Sequence, residues 1–209
     1  MESVIIIAVL IMSIVLHEVA HGFAANWLGD PTARLAGRLT VNPISHIDPI
    51  GSIIIPAMLY LTHAGVMFGW AKPVPYNPYN LSNQKWGEAF VAFAGPVTNF
   101  LLAIIFAVLV SVREVLGLDA SFVELASYIV FINVFLGMFN LIPFPPLDGS
   151  KVIEPFLPRA LAHRYRALGD KVAQFGILGS ILVLTVFVML LSVPFFGLVS
   201  FVVDFLLSF

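Results

Sequence analysis

Cysteine is absent from all 209 residues, which excludes disulfide frameworks and thiolate metal sites without fixing the redox compartment. Charge is also scarce, at 11% Asp, Glu, Lys and Arg, where a soluble globular chain carries roughly 25%. The formal net charge of -2 offers no basic surface to nucleic acid. No Lys or Arg precedes Arg34, so the positive n-region of a removable signal peptide is missing. The first apolar segment is therefore expected to stay in the protein. No internal repeat or low-complexity tract is evident.

What fills the chain instead is apolar: 60% of residues are hydrophobic and the mean hydropathy is +1.01. A single integral membrane domain over residues 1–209 is expected, with its core at about 3–155 and further membrane segments at about 172–207. Four or five stretches are candidates to cross a bilayer, each needing about 20 apolar residues. They are Ser3 to Ala25, Phe90–Val112, Leu125–Ile142 and Val172–Val203. The last would reach ~48 Å as one helix against a ~30 Å core, so a kink or hairpin is expected near Pro194.

Ile50–Val66 is the ambiguous fifth, short and broken by Gly51, Pro56 and Gly65. Residues 38–42 and 69–76 on either side look extended, so a re-entrant or interfacial hairpin is preferred to a full span. The expected fold class is thus an all-α membrane protein, a polytopic transmembrane helix bundle with a small re-entrant β element. The polar stretch Pro143 to Lys171 carries Arg159, Arg164 and Arg166 on an expected surface helix.

Against this background His17-Glu18-Val19-Ala20-His21 stands out. Ionisable side chains at membrane depth are costly and mark function. Histidines at i and i+4 share a helix face and suit one zinc ion, with the glutamate placed as general base. A catalytic zinc commonly takes three protein ligands. Without cysteine the third is His, Asp or Glu, and Asp148 is the best candidate, since Pro143, Pro145 and Pro146 end the preceding helix and let the chain turn inward.

That pairing makes a topological demand. His17 and His21 lie near the C-terminal end of the first segment, and Asp148 just beyond the C-terminal end of Leu125–Ile142. The two ends meet only if those helices run parallel, so Ile50–Val66 must make no net crossing. Nine of the ten Lys and Arg then fall on one side, with Arg113 alone on the other. The positive-inside rule makes the rich side cytoplasmic.

Three ordered motifs carry a resemblance: His17-Glu18-x-x-His21, Gly95-Pro96-x-x-Asn99, and Asn140-x-x-Pro143 leading to Leu147-Asp148-Gly149. Together they resemble the signature set of the site-2 protease family, the intramembrane zinc metalloproteases. Residues 41–51 and 69–75 are similar to the compact, single-domain branch of that family. The likeness covers about residues 10–155.

It implies hydrolysis of peptide bonds in or near transmembrane helices of membrane-anchored substrates, as in regulated intramembrane proteolysis. One Zn2+ per chain would be held by His17, His21 and Asp148, with Glu18 as base. Transmembrane-helix proteins and the lipid bilayer are then its expected partners, and the charge distribution above makes it a multi-pass protein of the cell (inner) membrane with an active site opening toward the cytoplasm.

Asn140 and Asn99 are candidates for oxyanion or substrate contacts, or equally for hydrogen bonds between helices. His46 and Asp48 read as structural caps before Gly51, His63 as interfacial and His163 as solvated surface. The alternative function is a metal-binding membrane transporter or channel using the same ligands on an ion pathway. The uncharged Phe90–Val112 and Val172–Val203 argue against it.

Overall fold

The computed structural model describes residues 2–62 and 69–208. Apolar side chains without a lattice of surface charge leave the backbone no partner but itself, and helices satisfy that demand. Three are long and apolar enough to cross a membrane: α1 (Glu2–Trp27) over Val4–Trp27, then Gly87–Ser111 and Ala120–Asn140. Between α1 and the second of these lie α2 (Thr32–Leu35), a helical turn at Pro49–Ile54 and α3 (Ile55–Leu61). The Gly87–Ser111 helix is α4, and α5 (Arg113–Leu116) turns the chain into α6 (Ala120–Asn140). α7 (Asp148–Ile153), α8 (Arg159–Gln174), α9 (Ile177–Leu190) and α10 (Ser192–Leu207) complete the order.

Relative direction follows from polar contacts between helices. Ser13, His17 and His21 of α1 meet Asn133, Asn99 and Val91 in turn. α4 therefore runs antiparallel to α1. Asn133 of α6 reaches both Ser13 and Asn99, and the chain beyond Asn140 returns to His17 through Asp148, so α6 runs parallel to α1. Small residues permit this closeness. Ala103 and Ala107 are buried with Val130, Val134, Val199 and Val203 in one core, while Phe135, Phe139 and Phe187 pack around Phe195.

The expected β element is not found: no strand occurs among the described residues. The flanking backbone is extended, but its hydrogen bonds go elsewhere. Trp70 N–H donates to the Gly51 carbonyl at 3.2 Å, Lys72 N–H to the His46 carbonyl at 2.8 Å and Val74 N–H to Glu18 Oε2 at 2.9 Å. Pro73 and Pro75 contribute no donor, so no ladder forms. The Ile50–Val66 segment is helical over Pro49–Ile54 and Ile55–Leu61, too short to span. His63 and the end of that segment lie outside the described residues. His46 is fully buried and Asp48 accepts from the Ile50 and Gly51 N–H groups, so both act structurally.

The run Val172–Val203 breaks at Leu191, near Pro194 as expected, and also at Gly176, so its first residues end α8 and the rest forms α9 and α10, whose ~24 Å or less is short of a full crossing. Pro194 sits in the first turn of α10, where no helical acceptor awaits its missing N–H.

Candidate metal centre and active-site cleft

His17 and His21 sit one turn apart on α1, six to ten residues before its end at Trp27, hence roughly 9–15 Å inside the helix terminus. Each ring is oriented from behind. His17 Nδ1–H donates to Asn99 Oδ1 at 2.6 Å, and His21 Nδ1–H donates to the Val91 carbonyl at 2.7 Å. This tautomer leaves both Nε2 lone pairs facing forward. Asn99 is itself held: its amide donates to Asn133 Oδ1 at 2.9 Å, and Asn133 donates to Ser13 Oγ and the Ile129 carbonyl. Asn99 and Asn133 are completely buried, and Asn99 lies behind His17 in a hydrogen-bonded chain between helices.

Asp148 arrives from the other direction. The chain leaves α6 at Asn140, passes a cis Pro145–Pro146 peptide and starts α7 at Asp148. Gly149 follows because any Cβ there would collide with the Leu141 carbonyl. Asp148 Oδ2 lies 3.1 Å from His17 Nε2 and 3.3 Å from His21 Nε2, and the two Nε2 atoms are 3.1 Å apart. The three side chains are 7%, 11% and 18% exposed.

The donor set can be tested against zinc. Three acceptor atoms pointed at one place repel one another unless a cation sits between them. Zinc bound to such atoms at ~2.0–2.1 Å in a tetrahedron would hold them about 3.3 Å apart, close to the spacing found. His17, His21 and Asp148 form the one group of three or more potential ligands among the described residues. Gly95 keeps the floor open, since a Cβ there would come within 2.6 Å of both rings. The residues fit the ion.

Glu18 borders this group and faces two adjoining cavities. One, of about 220 Å³, is lined by the three candidate ligands with Tyr76, Val74 and Lys151. The other, of about 270 Å³, is lined by Trp70, Leu136, Phe139 and Val183. His17, Glu18, Asn140, Pro146 and Leu147 border both, making one cleft with a polar and an apolar half. Asn140 donates one amide hydrogen to the Leu136 carbonyl at 3.0 Å, which leaves its second donor for the cleft. Burial favours the neutral form of Lys151, yet Tyr76, Asp148 and Glu88 hold it protonated, with Nζ 5.1 Å from the Tyr76 ring.

The model of peptidase family M50 matches residues 5–118 and 116–188. The chain belongs to peptidase family M50. Among its relatives is "Putative zinc metalloprotease YwhC" of Bacillus subtilis (strain 168), 39% identical over 159 residues that cover 73% of this chain and 69% of that protein. "Putative zinc metalloprotease Rip2" of Mycolicibacterium smegmatis is 30% identical over 171 residues, 76% of this chain and 61% of Rip2. "Zinc metalloprotease MJ0392" of Methanocaldococcus jannaschii is 24% identical over 199 residues, 92% of this chain and 48% of that protein. The chain thus spans less than two thirds of Rip2 and about half of MJ0392. No solved structure matches it.

Several residues of this M50 site escape a reading of the sequence. Asn133 had a signal, as a polar side chain inside an otherwise apolar span. Lys151 had one too, three residues beyond Asp148 and so on the same helix face. The Val91 carbonyl and the Val74 N–H are backbone groups, and no residue identity announces them.

Proposed function

We propose that this chain is a zinc metalloendopeptidase that cleaves peptide bonds in or near transmembrane helices of membrane-anchored proteins. The observation that carries the reading is the convergence of His17, His21 and Asp148 beside Glu18, within a cleft recessed from the end of a membrane-length helix. His17 Nε2, His21 Nε2 and the Asp148 carboxylate are assigned as metal ligands. When bound, zinc supplies Lewis-acid polarisation of the scissile carbonyl and lowers the pKa of water toward ~7.

Glu18 then acts as general base and acid. Its Oε2 is occupied by the Val74 N–H, which leaves Oε1 to take a proton from water and return it to the leaving amide nitrogen. Asn140 lines the cleft with one amide hydrogen uncommitted, which supports a role in steadying the oxygen that becomes negative as the carbonyl is attacked. A helical substrate hides its amides in its own hydrogen bonds and must unwind before attack. The extended segment 69–76 lies along the cleft. Its Trp70 and Lys72 groups bond on one edge, which turns Ala71 and the Pro73 carbonyl toward an unwound substrate strand.

Charge supports the orientation. With α1, α4 and α6 as spans, nine of ten Lys and Arg lie on the face where the cleft opens, which favours a cell-membrane protein with a cytoplasmic site. A conducting pathway would need ligating groups at successive depths, and a single such group occurs among the described residues.

The test is purification in detergent, zinc analysis and digestion of a model transmembrane substrate by the wild type and Glu18→Gln. About one zinc per chain is expected in both, with cleavage by the wild type alone. Equal cleavage by the variant would remove Glu18 from its role, and ion flux without cleavage would favour a transporter.

A further inference from the structure

We propose that α8 is an in-plane membrane helix whose outer flank binds the headgroups of anionic phospholipids. The inference rests on the membrane reading above and is independent of proteolysis. Helical spacing puts Leu161, Leu168 and Val172 along one arc, with Arg164 and Lys171 in register beside it. The inner side is committed to the protein: the Tyr165 hydroxyl donates to the Pro143 carbonyl at 2.5 Å, and Gly169 lies against Pro145. Leu161 and Leu168 remain 52% and 40% exposed. Phe156 before the helix and Phe175 after it are 69% and 67% exposed.

Position decides what covers this surface. The chain emerges from α6 at Asn140 and passes into the uncharged α9 at Ile177. A helix of 16 residues, about 24 Å long, that follows α7 and a turn ending in Phe156, whose ring also meets Trp86, and that leads through the exposed Phe175 into the apolar α9, has reason to lie along the bilayer surface. There its leucines enter the acyl boundary and its cations reach the headgroup layer.

Charge selects the lipid. Arg166 is paired with Glu154, whereas Arg164 and Lys171 have no ion-pair partner among the described residues. Asp170 is the one acid of α8 and neighbours Lys171 in sequence, yet successive residues on a helix point apart. The flank therefore offers a guanidinium and an ammonium to phosphate oxygens, and a net negative lipid satisfies both. Because Tyr165 and Gly169 hold the Pro143–Pro145 loop, a docked α8 also braces from outside the turn that delivers Asp148.

The absence of cysteine makes the test direct. A spin label at Leu168→Cys in the otherwise intact chain is placed in nanodiscs of phosphatidylcholine with increasing phosphatidylglycerol. The label is expected to meet oxygen rather than a water-soluble nickel chelate, and more so as phosphatidylglycerol rises. In the Arg164→Gln, Lys171→Gln chain the half-saturating phosphatidylglycerol fraction should rise at least tenfold, as each basic residue near an anionic surface contributes roughly fivefold. High salt should move it the same way. On the unlabelled chain, native mass spectrometry should find fewer retained phosphatidylglycerol molecules in the double variant. A label open to the nickel chelate in every lipid, or identical lipid retention by wild type and double variant, overturns the proposal. Glu18→Gln should leave the lipid response intact, so loss of proteolysis and loss of docking are read separately.

Discussion

The two sides of the candidate metal site are built by different means. The imidazole side stands on α1 and is locked by α4 and α6 through an enclosed chain of amides, Asn99 to Asn133 to Ser13. The carboxylate side comes from the first residue of the short α7, delivered by the proline-rich loop after α6, and the segment that holds Glu18 is an extended stretch anchored at its far end by Asp30. That aspartate is fully buried and accepts from Thr32, Asn80 and the Asn77 N–H at 2.5–3.2 Å. Helices in lipid have rigid backbones, so they can fix ring orientation in advance. Loops can approach from a second direction, which one helix face cannot supply. The contrast suggests a division of labour: α1 sets the geometry, and the loops complete it and admit the substrate.

Disturbing each side in turn sharpens that contrast. The largest effect is expected from Asp148→Ala, which leaves two neutral imidazoles. Zinc content after dialysis should fall from about one ion per chain to below about a tenth, and retention of a full ion would break the assignment of the third ligand. Asn99→Ala should weaken zinc affinity about 10–100-fold in chelator competition, because His17 loses the acceptor that selects its tautomer. Asn133→Ala should do less, as it acts only through Asn99. An equal or larger effect at Asn133 would mean that support does not run along this chain.

The smallest effect on metal is expected on the loop side, at Asp30→Asn. Burial raises the Asp30 carboxyl, but the donors from Thr32, Asn80 and Asn77 outweigh it and hold the group below its ordinary value of 3.8. A depressed carboxylate contributes stability that is fully present above its unfolded value and lost as pH falls through its folded one. Wild type should therefore lose stability on acidification below about pH 4, and Asp30→Asn should lack that component. At neutral pH the variant should melt lower by an amount near 2 kcal/mol, the scale of hydrogen bonds to a charged group. Thermal unfolding in detergent across the acid range checks both, and an unchanged acid response would dismiss Asp30 as the anchor.

Much of this was legible from residues alone. His17, Glu18 and His21 advertise themselves by one-turn spacing in an apolar helix, and Asp148 by prolines that force a turn beside it. The demand that α1 and α6 run parallel agrees with the contacts of Ser13, Asn99 and Asn133. The β element failed because donors at 70, 72 and 74 found the Gly51 and His46 carbonyls and Glu18, partners that no alternation of residues reveals. The break near Pro194 was legible, since the proline falls in the first turn of α10 where its missing N–H is harmless, whereas the break at Gly176 carried no signal beyond a lone glycine in an apolar run.

Composition and local spacing by themselves settled that the chain is apolar enough for a bilayer and that two imidazoles and a carboxylate share one helical turn, since both depend only on neighbours in sequence. Only the tertiary structure decided that the tautomers of His17 and His21 are set by Asn99 and a backbone carbonyl, and that Glu18 is tethered by Val74. Those contacts join residues 56 to 82 positions apart. Such pairs are chosen by how the helices pack, and local propensity carries no information about them.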